Sequence, residues 1–185
     1  AVFFEQLGLR PADHALGIGS GPHGAQTGAM LAAIEAVLQD EKPDWMLVYG
    51  DTNSTLAGAL AASKMHVPVA HVEAGLRSFD TRMPEEVNRK LVDHLSTLLL
   101  APGATAIANL EREGLSEGVH DVGDVMADAL KHAAQTGPQD DRLLEMLLLT
   151  PGRYLLVTLH RAQNTEGADA LRTLLQTLTR HGEAA

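Results

Sequence analysis

Trp45-Met46-Leu47-Val48-Tyr49-Gly50-Asp51-Thr52-Asn53-Ser54-Thr55 opens the segment that decides the fold, and Val67-Pro68-Val69-Ala70-His71-Val72-Glu73 closes it. Residues 45–49 are an unbroken apolar run stopped by Gly50-Asp51, the pattern of a parallel strand buried on both faces. Residues 52–64, dense in alanine, predict a helix, and 67–72 predict a second buried strand. Strand, helix and strand at this length make a βαβ crossover. Sheets built this way take ligands beyond the carboxyl ends of their strands, and Asp51 and Glu73 stand at those ends.

The pattern extends in both directions. Upstream, 15–18 reads as a short extended piece running into Gly17-Ile18-Gly19-Ser20-Gly21-Pro22-His23-Gly24. Met30, Leu31, Ile34, Val37 and Leu38 then recur at helical spacing over 26–39, ahead of Pro43. Phe3, Phe4 and Leu7 share one face of a helix over 1–9. Downstream, Pro84 suits the first turn of a helix over 85–95. A strand over 97–101, a helix over 105–113 ended by Gly114, a short strand over 119–122 and a helix over 125–134 follow. Residues 135–141, with Gly137, Pro138 and two acids, read as a linker. Past it come a short helix at 143–149, a strand at 154–158, His160-Arg161 and a helix over 166–180. The alternation predicts an α/β fold, a Rossmann-like parallel sheet with flanking helices.

Composition narrows the functions. The 185 residues are 45% hydrophobic and 21% charged, with 14 basic against 24 acidic side chains and a formal charge of −10. Binding to nucleic-acid phosphates or anionic lipid needs clustered Lys and Arg, so neither partner is expected. Aromatics are 3% of the chain, too few for a base-stacking surface. With no cysteine there is no disulfide framework, thiolate nucleophile or cysteine-ligated metal. No apolar run approaches the ~18 residues of a membrane-spanning helix, and no signal-peptide pattern opens the chain. The expectation is a soluble, cytoplasmic protein.

Chemistry concentrates on the acids. Asp51 and Glu73 end neighbouring strands and Glu85-Glu86 open the next helix, so three carboxylates converge on one mouth. Mutual repulsion in such a group tends to bring a carboxyl pKa into the range useful for proton transfer. The same positions also suit acids for a structural reason, since helix N-termini favour negative charge and Asp51 is placed to cap a helix at Thr52. Arg77, Arg82, Arg89-Lys90 and, from the far segment, His160-Arg161 surround the mouth. An acidic protein that gathers arginine there suits a phosphorylated ligand, although each arginine equally suits an ion pair with a nearby Glu.

Other motifs carry less. Gly19-Ser20-Gly21-Pro22-His23-Gly24 matches Gly-x-Gly-x-x-Gly, but a weakly apolar strand precedes it, and Asp51 lies 27 positions beyond Gly24, past the ~20 of a dinucleotide site. A plain glycine-rich turn is the better reading. The nine histidines show no metal-ligand spacing, and no Gly-x-Ser-x-Gly elbow of a serine hydrolase occurs.

Three stretches together carry a family resemblance: Gly50-Asp51-Thr52-Asn53-Ser54-Thr55, His71-Val72-Glu73-Ala74-Gly75-Leu76-Arg77 and Pro84-Glu85-Glu86-Val87-Asn88-Arg89. With Gly19-Ser20-Gly21, Gln26-Thr27-Gly28, Val122-Gly123-Asp124-Val125-Met126-Ala127-Asp128 and Val157-Thr158-Leu159-His160-Arg161, they resemble the non-hydrolysing UDP-N-acetylglucosamine 2-epimerases over essentially the whole chain. The resemblance implies two Rossmann-like domains arranged as in B-type glycosyltransferases, with substrate in the cleft between them. It implies inversion at C2 of UDP-N-acetylglucosamine to give UDP-N-acetylmannosamine, by elimination of UDP to a 2-acetamidoglucal and re-addition, in the supply of surface-polysaccharide precursors. Carried onto this chain, the essential carboxylates are Asp51, Glu73 and Glu85, and His160 contacts the UDP phosphate. Arg77, Arg89 and Arg161 are expected to organise the substrate. No cofactor and no metal are implied, and the family suggests a homodimer.

Against the family pattern, the chain is expected to hold an incomplete first domain over 1–134, without its first two strands, a linker over 135–150 and the beginning of the second domain over 151–185. Where the family has x-Glu-Asn after His-Arg, Ala162-Gln163-Asn164 replaces the acid by an amide. The isolated chain is expected to turn over weakly or not at all. Two alternatives stand beside it: a non-catalytic remnant or interaction module of the same fold, and a hydrolysing relative that releases free N-acetylmannosamine.

Overall fold

The structure is a computed structural model that describes residues 4–5, 8–137, 142–159 and 167–182. It divides into two compact units, Ala1–His132 and Ala133–Ala185.

The first unit is built on a four-stranded parallel sheet, β1 (Met46–Tyr49), β2 (Val69–Val72), β3 (Leu98–Ala101) and β4 (Val119–Asp121), in sequential order. Helix α1 (His23–Glu41) precedes β1, and α2 (Asn53–Lys64), α3 (Pro84–Leu95) and α4 (Ala104–Arg112) are the crossovers. Because parallel crossovers are right-handed, a sheet ordered 1-2-3-4 receives all three crossover helices on one face. Helix α5 (Val125–Thr136) follows β4 and reaches the second unit.

The core lies between that face and its helices. Val48, Val69, Ala59, Ala61, Ala62, Val92 and Leu38 form one buried cluster, and Leu99, Ala101, Ala106, Leu110 and Ala74 form a second. The alanines predicted over 52–64 have a packing purpose: a Cβ added to Gly58 would lie 2.8 Å from Met46 Cε. Small residues let α2 settle onto β1, and α1 packs along α2.

The strand expected at 45–49 differs in one respect. Val48 is buried, but Leu47 and Tyr49 on the other face are 48% and 60% exposed, because the crossover helices all cover the opposite side. The extended piece at 15–18 forms no strand, and nor do residues 154–158 of the second unit, where Leu156 is exposed. A strand is stabilised by its ladder, and neither segment has a partner strand among the described residues. The second unit holds the end of α5, α6 (Arg142–Met146) and α7 (Ala168–Gly182). Of the helix read over 1–9 only residues 4–5 are described as helical, and much of the linker segment 135–141 lies outside the described residues. Among the described residues no helix is long and apolar enough to cross a membrane.

Candidate active site

The site is built on the β1–α2 turn. Gly50 keeps its backbone bond to β2, donating to the Val72 carbonyl at 3.1 Å, and its φ of +66° turns the chain out of the sheet. Thr55 Oγ1 donates to the Tyr49 carbonyl at 2.6 Å, and the Thr52 amide donates to Thr55 Oγ1 at 3.2 Å, closing the start of α2. Thr52, not Asp51, therefore occupies the N-cap. The Asp51 carboxylate is left to pair with Arg89 of α3.

Glu73 follows β2 directly, and the Tyr49–Val72 register sets it beside the same turn. A Cβ added to Gly50 would lie 3.5 Å from Glu73 Oε2, so the carboxylate rests against the residue preceding Asp51. Glu73 is also a non-glycine residue at φ +71°, a left-handed conformation that costs an L-residue about 1 kcal/mol. Such outliers persist where their surroundings hold them and concentrate at functional sites.

Helix α3 separates the two adjacent acids that open it. Pro84 sets the first turn, Glu85 is exposed, and Glu86 is fully buried. Glu86 Oε2 accepts from the Ser78 amide at 2.8 Å and the Ser78 hydroxyl at 2.9 Å, and Oε1 accepts from the Phe79 amide at 3.2 Å. Burial by itself would raise its pKa, but these bonds and nearby Arg89 hold it below the ordinary glutamate value. Glu86 thus anchors the loop after β2, and Glu85 is the acid of the pair that faces water.

Arg77 is anchored in the same way. Its side chain is fully buried, and Nε and Nη2 donate to Glu113 at 2.8 and 2.6 Å while Nη1 lies 2.7 Å from Asp93 Oδ2. Burial opposes its charge, yet the hydrogen bonds to Glu113 and Asp93 outweigh it and raise the Arg77 pKa. The same pairing holds the Glu113 carboxyl below the usual range. The ion-pair reading of this arginine therefore describes its position, since every guanidinium nitrogen is spent on protein oxygens. Arg89 differs: it meets Asp51 and lies 3.5 Å from Glu86, and its Nε is buried with no acceptor. His160 and Arg161 lie outside the described residues.

Asp93 and Glu113 were not among the expected site residues. Asp93 is fully buried and joins His71 to Arg77, with His71 Nδ1 2.7 Å from Asp93 Oδ1. A signal for it exists in the spacing: Asp93 falls two helical turns after Glu86, and Asn88 falls four residues before buried Val92, so polar side chains occupy the inward stripe of α3. Glu113 meets Arg77 across 36 residues and carries no local signal.

Comparison with known proteins identifies the family of the chain. The family model described as UDP-N-acetylglucosamine 2-epimerase matches residues 1–184. The chain belongs to the UDP-N-acetylglucosamine 2-epimerase family. It is 48% identical over 183 residues to a UDP-N-acetylglucosamine 2-epimerase homolog of Methanococcus maripaludis, covering 98% of this chain and 51% of the relative. It is 49% identical over 180 residues to the UDP-2,3-diacetamido-2,3-dideoxy-D-glucuronate 2-epimerase of Pseudomonas aeruginosa, covering 96% of this chain and 49% of that enzyme. The crystal structure of the Methanocaldococcus jannaschii epimerase in complex with UDP-GlcNAc and UDP superposes with a TM-score of 0.87 at 46% identity, over 97% of this chain and 50% of that one. The chain thus spans about half the length of the epimerases it matches.

Proposed function

We propose that this chain carries the carboxylate part of a site that inverts C2 of UDP-N-acetylglucosamine, giving UDP-N-acetylmannosamine for surface-polysaccharide synthesis in the cytoplasm. The observation that carries the reading is Glu73, an acid held in left-handed backbone against the turn that presents Asp51. In the proposed reaction the C1–O bond breaks with its electron pair leaving on UDP. C1 gains oxocarbenium character, which acidifies C2, and a site carboxylate takes the C2 proton as the C1–C2 double bond forms. A proton then returns to the opposite face of C2 and UDP adds back at C1. Asp51, Glu73 and Glu85 supply the carboxylates that move protons and balance the cationic centre, Arg89 sets the Asp51 carboxylate, and His160 with Arg161 meets the diphosphate. Arg77 acts in this scheme by holding the loop after Glu73 and not by touching substrate. The working protein is a homodimer.

The near-equal identity to the Pseudomonas enzyme favours a second substrate within the same chemistry, a 2,3-diacetamido uronate linked to UDP. Both sugars present an acetamido-bearing C2 beside a diphosphate leaving group. The 185 residues alone are expected to exchange weakly or not at all, because the acids of the β-strand ends form only part of the constellation.

The test is deuterium incorporation at C2, followed by proton NMR in D2O, with each sugar nucleotide in turn. Slow exchange that disappears in Glu73→Gln supports the reading. Exchange unaffected by Glu73→Gln removes that residue from the mechanism. Failure to bind either sugar nucleotide favours the non-catalytic remnant, robust exchange overturns the expectation of weak turnover, and release of free N-acetylmannosamine favours the hydrolysing relative.

A further inference from the structure

Helix α3 holds the Gly50–Asp51 turn directly at two points and at a third through His71 of β2. Asn88 Nδ2 donates to the Asp51 carbonyl at 2.9 Å, Arg89 pairs with the Asp51 carboxylate, and His71 Nε2 lies 2.8 Å from the Gly50 carbonyl with its other nitrogen on Asp93. Residues 88, 89 and 93 all belong to α3. The third grip is fully buried, with His71 and Asp93 both at 0% exposure.

The proton inventory of this grip is constrained. A backbone carbonyl only accepts, so Nε2 must donate to Gly50. Asp93 Oδ2 receives the Gly75 amide at 3.1 Å and lies 2.7 Å from Arg77 Nη1, and its Oδ1 faces His71 Nδ1. The contacts therefore run without a break from the Gly50 carbonyl through His71, Asp93 and Arg77 to Glu113.

We infer that His71 is a positioning residue for Asp51, donating from Nε2 to the Gly50 carbonyl while Asp93 holds Nδ1, and so fixing the peptide from which the Asp51 side chain leaves the sheet. The peptide is planar and trans, so a Gly50 carbonyl turned into the buried ring directs the Asp51 amide the other way. His71 contributes to catalysis through Asp51 and not by contact with substrate. The inference rests on the proposed role of Asp51, but its first test does not.

In the 185-residue chain labelled with 15N-histidine, long-range proton–nitrogen spectra at pH 7 are expected to show a proton on Nε2 of His71. A bare Nε2 overturns the clamp whatever the enzyme does. In His71→Gln the Asp51 and Thr52 amide signals are expected to move, whereas His66→Asn, at an exposed turn position, leaves them in place; unmoved signals in His71→Gln also overturn it. Where wild-type C2 exchange is measurable, His71→Gln is expected to lower kcat about tenfold or more with KM within about twofold. An unchanged kcat overturns the positioning role. Where the wild type shows no exchange, the spectroscopic result decides the clamp, and failure to bind the sugar nucleotide counts separately against the proposed function.

Discussion

Along the carboxyl edge of the sheet, two sets of charged residues are interleaved in sequence and live under opposite conditions. Arg77, Glu86, Asp93 and Glu113 are buried or pressed into pairs, each with its hydrogen-bonding capacity directed at protein. Glu73 and Glu85 stand partly or wholly in water, and Asp51 is tethered at one side. A single short motif supplies both kinds: 71–77 yields the open acid Glu73 between the anchors His71 and Arg77, and 84–89 yields open Glu85 beside anchored Glu86. The lesson is that the open acids stand on a layer of paired, buried charges, which fixes the backbone segments that carry them and, through Arg89, the Asp51 carboxylate.

Breaking the buried layer tests this most strongly. Asp93→Ala leaves Arg77 and His71 without their shared carboxylate and is expected to cost about 3–5 kcal/mol in denaturant unfolding, since an uncompensated buried charge is expensive. A loss below about 1 kcal/mol makes the layer incidental.

Gly75→Ala comes next. Gly75 sits at φ +81°, and an added Cβ would lie 2.4 Å from the Ala106 carbonyl oxygen, a backbone atom that cannot swing aside. The expected loss is about 2–4 kcal/mol in the same measurement.

Glu86 ties the layer to pH. Its pKa is lowered in the folded state, so it stabilises the fold above its unfolded value and that contribution is lost as pH falls through the folded one. Glu86→Gln is therefore expected to lower stability at pH 7 by about 1–3 kcal/mol and to converge with wild type in acid. A constant gap at every pH refutes the assignment.

The open acids should behave in reverse. Glu73→Gln is expected to abolish C2 exchange with a Tm within a few degrees of wild type, and Glu85→Gln to shift stability by no more than about 0.5 kcal/mol. A large stability loss from either would move that residue to the buried side of the comparison.

Much of this was legible in the chain. The apolar runs and glycine stops located all four strands of the sheet and the helices between them, because period and punctuation are local properties. The division of labour between Glu85 and Glu86 was not, since it depends on which face of α3 meets the loop at Ser78 and Phe79. Nor was Arg77's commitment, whose partner Glu113 lies on another crossover. Residues 154–158 show the same limit from the other direction, with strand-like composition but no ladder among the described residues to make them a strand.

The φ of +71° at Glu73 has a practical consequence for anyone engineering this scaffold. Glycine or asparagine would sit there more comfortably than glutamate, so a search that rewards heat resistance alone will favour exchanging it. The sturdier chain recovered from such a search will have discarded the carboxylate proposed to take part in the C2 chemistry, and only a paired assay for turnover will reveal the trade.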